Sequence, residues 1–305
     1  MNMLTLLRWI AALCSITAAL LYATAFAQPA PATPLTDPVA ALAARHQALA
    51  AELAQSPFGL PLVVRSQDAG ARAEGEIVGV IPHPFATFAA AFATPRAFCD
   101  AALLHPNVKG CTSTGTKGQE RVLLQAGRKH YEPADSVYAQ TFVASTQQVG
   151  DRYLRVVLRA AEGPLDTRDY EFTLEAMPAG DATFIAVRYG YSASFASRAA
   201  TAGYLATAGS GRTGFTTNAA GAPARGVRGI VERNAMRHYL ALTAVLDTGD
   251  VPEAARTTAR LDRYYTLTDR FAAQLREFER SEYIASKTRE LAEQRARDRN
   301  TGSGS

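Results

Sequence analysis

The sequence predicts an α+β fold: a curved antiparallel sheet with one face covered by helices, an extra helix before it and a long helix after it. Three observations predict it. Five stretches between residues 121 and 193 are rich in β-branched and aromatic residues and are separated by turn signals. One of them, 169–177, alternates cleanly, with Tyr170, Phe172, Leu174 and Ala176 on one side and Glu171, Thr173 and Glu175 on the other. That period of two marks a strand with one covered and one wet face. Helical periodicity flanks the block on both sides.

Along the chain, residues 1–27 read as a cleavable secretory signal. Arg8 is followed by an apolar run and the end Ala25-Phe26-Ala27, so the mature chain is expected to begin at Gln28 and work in the periplasm. The alternative is an uncleaved inner-membrane anchor. Residues 28–59 are then a proline-rich linker and a helix over 37–55, with Asp37 as its cap and Pro38 in its first turn. A main domain is expected over 60–250, beginning with short strands at 60–65 and 76–81. Between 84 and 104 the pattern is helical, with Phe85, Phe88, Phe92 and Phe98 near helical spacing, and Thr94-Pro95 divides it in two.

The five central strands are expected at 121–131, 137–145, 152–160, 169–177 and 183–193, with turns at Gly163-Pro164 and Ala179-Gly180-Asp181. In the last of them Ile185, Val187, Tyr189 and Tyr191 share a face. A small-residue helix follows over 195–208, then a last strand near 213–217, and a helix over 227–246. The segment 251–300 reads as one long C-terminal helix, carrying the stripe Leu261, Tyr264, Phe271, Leu275 and Phe278, which fades into mixed charge beyond Ser286. Residues 301–305 form a flexible tail.

Residues 75–104, a strand running through a proline into two short helices, together with the later run of strands and a closing helix, resemble the START-like (SRPBCC) helix-grip superfamily, which includes START lipid-transfer domains and polyketide cyclases. The strings "HPNVKGC", "EGPLDTRDYEF" and "GFTT" are similar to an uncharacterised group of exported bacterial proteins within it. The resemblance implies a sheet gripping a helix, with a cavity between them that suits an apolar small molecule or lipid. Candidate lining residues are Tyr170, Phe172, Leu174, Tyr189 and Tyr191, with Arg188 and Gln140 as polar groups; packing of a filled core is the competing role for each.

Cys99 and Cys111 are the only cysteines after the signal, and in an oxidising compartment they read as a disulfide. Metal binding with His105 between them is the weaker alternative, because the spacing lacks the close ligand pairs of zinc sites. His83, His105 and His130 stand at turn or loop signals, and nothing in the sequence separates them from ordinary surface histidines. No G-x-S-x-G elbow and no H-E-x-x-H pair is present, which leaves hydrolase and zinc-protease readings without support. The G-x-G-x-x-G string at 209–214 follows a helix rather than a strand, so it is not a dinucleotide site. The formal charge of +4 is spread among acids and does not indicate nucleic acid.

The expected function is therefore binding of an apolar ligand or lipid, with no cofactor and no metal. Two alternatives stand beside it: a cyclase or aromatase using the same cavity, and an envelope interaction protein with a filled core. In the last, the C-terminal helix would make the membrane-surface or protein contact.

Overall fold

The structure, a computed structural model, describes residues 37–116, 118–206 and 211–302. The expected signal at 1–27 and the proline-rich segment after it lie outside the described residues, as does the end of the tail. Helix α1 (Pro38–Ala54) starts where Asp37 accepts a hydrogen bond from the Val39 amide. The β1 (Leu62–Ala69) and β2 (Arg72–Ile81) hairpin turns at Gly70, whose φ of 71° favours glycine. Helices α2 (Phe85–Phe92) and α3 (Pro95–Ala102) are divided at Thr94, which caps the second of them as expected.

From α3 the chain crosses to the far side of the sheet and walks back by hairpins through β3 (Val108–Thr114), β4 (Arg121–Ala126), β5 (Tyr138–Val149), β6 (Tyr153–Glu162), β7 (Arg168–Ala179) and β8 (Ala182–Ser192). The last strand pairs with β2, so the order is β1-β2-β8-β7-β6-β5-β4-β3 and every pairing is antiparallel. Helix α4 (Phe195–Ala206) leads to α5 (Gly226–Asp247), which lies across the inner face of the sheet over β1, β2 and β8. Two glycines of β2 permit this close seating. A Cβ on Gly75 would stand 2.7 Å from the Val231 carbonyl oxygen, and one on Gly79 would stand 3.0 Å from the Tyr239 ring. The inner face and its helices form the main apolar core, including Ile77, Phe88, Val156, Leu174, Val187, Ala235 and Leu240.

Several expectations are corrected. β3 is not among the expected strands, yet it is an edge strand carrying Cys111. The last strand near 213–217 is reduced to a single bridge between Thr217 and Pro223. The long C-terminal helix is three pieces, α6 (Glu253–Asp269), α7 (Ala272–Leu275) and α8 (Arg280–Gly302), broken where Phe271 and Arg276 leave helical geometry. Its stripe is no exposed docking face: Leu261, Tyr264 and Leu275 are buried and Phe271 and Phe278 are packed against the core. Beyond Ser286, where the stripe fades into mixed charge, Lys287, Glu290 and Gln294 are buried.

A further correction concerns the outer face of the sheet. It is not wet throughout, because α1 packs Leu42, Leu49 and Leu53 onto Val78, Tyr153, Phe184 and Ala186 in a second apolar cluster. Thr173, on the same side, is buried as well.

Among the described residues no helix is long and apolar enough to cross a membrane.

Candidate functional site

Strand alternation turns Tyr170, Phe172 and Leu174 of β7 and Tyr189 and Tyr191 of β8 towards the helices, all within or against the main core. The three tyrosines form a compact group: Tyr170 stacks on Tyr191 with centroids 5.3 Å apart, and Tyr189 lies 6.3 Å from Tyr170 and 6.0 Å from Tyr191. Burial raises the Tyr170 hydroxyl to about 12, and its oxygen sits 2.8 Å from the Thr167 hydroxyl. Burial also holds Tyr189 well above the ordinary tyrosine value. Phe98 of α3 closes on Phe172 at 4.9 Å. Leu174 is packed in the core.

The two polar candidates part company. Gln140 points inward from β5 and donates to the Glu162 carbonyl at 2.8 Å. Arg188 falls on the opposite face, because it is out of phase with Val187 and Tyr189; there it pairs with Glu74 and Glu76.

The inner face also holds two histidines that meet. His105 stacks on His238 of α5 at 5.7 Å, and His238 reaches Phe172 at 5.3 Å and Tyr189 at 6.0 Å. Burial, reinforced by the Arg237 guanidinium, lowers His238 to about 4 and places His105 well below the ordinary histidine value. Both rings are therefore neutral near pH 7. His83 instead bonds Asp247 at 2.7 Å, and His130 is exposed beside Phe278. Cys99 and Cys111 are joined as a disulfide that ties α3 to β3.

A cleft of about 990 Å³ opens between the β4–β5 connection, α5 and the segment after α7. Its α5 wall presents Ile230 and Asn234, two turns and one turn before His238, so the aromatic group begins one helical turn beyond this wall. Five basic side chains and two carboxylates line it, along with His130. Glu277 is the focus: its carboxylate accepts from Lys129 at 2.8 Å, Arg212 at 2.8 Å and Arg237 at 2.7 Å. Arg233 of the same wall donates to the Thr213 carbonyl.

Sequence reasoning missed this cluster and His238. Lys129, Arg212, Arg237 and Glu277 come from four separate segments, so no local spacing announces them. The one available signal was a helix whose buried side carries Glu232, Arg233 and Arg237 among Val231, Ala235, Met236 and Leu240. Among the described residues there is no group of His, Cys, Asp and Glu side chains able to hold a metal ion.

No protein-family model and no curated protein matches this chain. Solved structures do resemble it. A STAR-related lipid transfer protein fragment from Xanthomonas axonopodis is 13% identical, covering 61% of this chain and 93% of its own, with a TM-score of 0.40. Human StAR-related lipid transfer protein 5 is 10% identical over 68% of this chain and 97% of its own, at 0.34. Norcoclaurine synthase from Thalictrum flavum is 13% identical over 61% and 87%, at 0.32. Likeness at this level carries no argument about ligand or reaction. The START-like helix-grip fold stands on the strand order and on the helix seated across the inner face.

Proposed function

We propose that this protein binds one apolar small molecule or lipid between the inner face of the sheet and α5, entered through the cleft. One observation supports the reading above the others. Tyr189, Tyr191 and His238 sit deep between sheet and helix, yet each keeps part of its surface uncovered, as side chains bordering unfilled space do. The wall they make is aromatic and uncharged, and the adjoining cleft is large enough for a lipid-sized guest.

Organic extraction of the protein purified from its native host, followed by mass spectrometry, tests this directly. A stoichiometric apolar compound is expected, together with saturable binding of an apolar fluorescent probe to the extracted protein. Absence of both would leave the aromatic group as core packing and overturn the reading.

A second reading, a cyclase or aromatase acting in the same space, is favoured by the inward positions of Gln140, His105 and His238 and disfavoured by the outward position of Arg188. Turnover of a bound polyketide-like substrate that His238→Phe abolishes would establish it.

The working compartment we assign is the periplasm. The signal-like segment at 1–27 motivates this, and the Cys99–Cys111 bond fits an oxidising environment. N-terminal sequencing of the envelope fraction should start at or near Gln28. A chain retaining Met1 in the membrane would indicate an uncleaved anchor instead.

A further inference from the structure

We infer that the basic cluster around Glu277 receives the anionic oxyacid head, carboxylate or phosphate, of the ligand whose apolar part lies against the aromatic group. The inference rests on the apolar-ligand reading above and specifies it: the ligand is an anionic amphiphile.

The cluster does more than hold the chain break after α7. Arg237 alone would serve that purpose, since its guanidinium reaches both the Leu275 carbonyl and Glu277. Arg212 adds a second tie to the same segment through the Arg276 carbonyl. Yet three cations converge on this single carboxylate, and the positive charge exceeds what Glu277 balances. The excess is directed. Arg237 and Glu277 form a buried base, with side chains 4% and 6% exposed, while Lys129 and Arg212 remain 28% and 29% exposed, and all of them line the cleft.

The other acid of the cleft, Glu132, is occupied by Arg128 through both a side-chain and a backbone donor. Partly desolvated positive charge of this kind attracts an oxyanion and gives it several charge-assisted donors. Asn234 of the cleft stands one turn of α5 before His238 of the aromatic group. A molecule with its head at Lys129 and Arg212 would direct its apolar chain along this face of α5.

The test uses the mature chain, stripped by organic extraction, and measures displacement of an apolar fluorescent probe by dodecanoate, dodecyl phosphate, dodecanol and inorganic phosphate. The expected result is that one or both anionic amphiphiles bind about tenfold more tightly than dodecanol. Which of the two binds more tightly identifies the head as carboxylate or phosphate. The preference should shrink as salt is raised and should vanish in the double variant Lys129→Gln, Arg212→Gln, whose affinity for dodecanol stays within about twofold of the parent's. The charge-preserving Lys129→Arg variant should keep the preference, which separates lost charge from lost packing.

Equal binding of all three chain compounds would overturn the anionic head and leave the apolar-ligand reading standing. Binding of inorganic phosphate without any chain compound would overturn both. So would the absence of all binding.

Discussion

The two edges of the sheet are finished by different means. At the β1 edge, residues from Arg65 onward are half-buried or exposed, and charge does the work: Arg65 reaches Glu52 of α1 in an open ion pair. At the β3 edge the strand is covered by α8, whose buried polar side chains stand where another strand would pair. Gln294 Oε1 accepts from the Cys111 amide at 3.1 Å, and Lys287 Nζ donates to the Val108 carbonyl at 2.7 Å. Lys109 and Lys287 share Glu290, at 2.7 Å each, with all three side chains nearly inaccessible. An exposed strand edge is a template for unwanted pairing. One edge is protected by solvated charge, which is worth little to stability; the other by a desolvated network, in which each member matters.

Removing the shared carboxylate should break this contrast most sharply. Glu290→Gln leaves two buried ammonium groups with only carbonyls and a neutral amide as partners, and we expect a loss of about 4 kcal/mol in urea unfolding. A loss under about 1 kcal/mol would mean the network is solvated after all. The disulfide comes next. Replacing Cys99 and Cys111 by serine frees β3 from α3, and a loop of this size predicts about 3 kcal/mol, measured against the parent without reductant.

The third effect is a pH dependence. Burial, followed by repulsion from Lys109, lowers Lys287 from its ordinary 10.5 to about 8, with Glu290 opposing. Between those values the unfolded chain holds more protons than the folded one, so stability rises with pH across that window, by about 3 kcal/mol. The penalty for charging the folded side chain is fully present below about 8. Thermal melts of the parent against Lys287→Met should differ in slope there and run parallel at lower pH. Gln294→Ala should cost about 1 kcal/mol for its hydrogen bond to the strand. At the opposite edge, Arg65→Ala should cost less than about 0.5 kcal/mol. If the last two came out equal, the edges would not differ in kind.

The same contrast explains what the sequence could reveal. The inner face of β7, the Asp37 cap, the division at Thr94-Pro95 and the turn at Gly180 depend on neighbours in the chain, and periodicity or turn chemistry exposes them. β3 was hidden because "VKGCTST" carries a lysine and a glycine where a buried strand should be apolar. That lysine is tolerable only because Glu290 arrives from the far end of the chain. The breaks around α7 contain no proline or glycine, and are held instead by Arg212 and Arg237 on the carbonyls of Arg276 and Leu275. The site followed the same rule. Its aromatic wall was readable from alternation, whereas the Glu277 cluster and the His105–His238 contact join residues with no shared spacing.

The docking of α1 on the outer face has a consequence for the order of assembly. Its leucines Leu42, Leu49 and Leu53 rest on Tyr153, Phe184 and Ala186, which lie a hundred or more positions later in the chain. A chain delivered from its amino end therefore carries this stripe uncovered until β8 has emerged and closed onto β2. Such long-range contacts form late and slowly. During that interval the exposed stripe is a site of aggregation risk, which closure of the sheet removes.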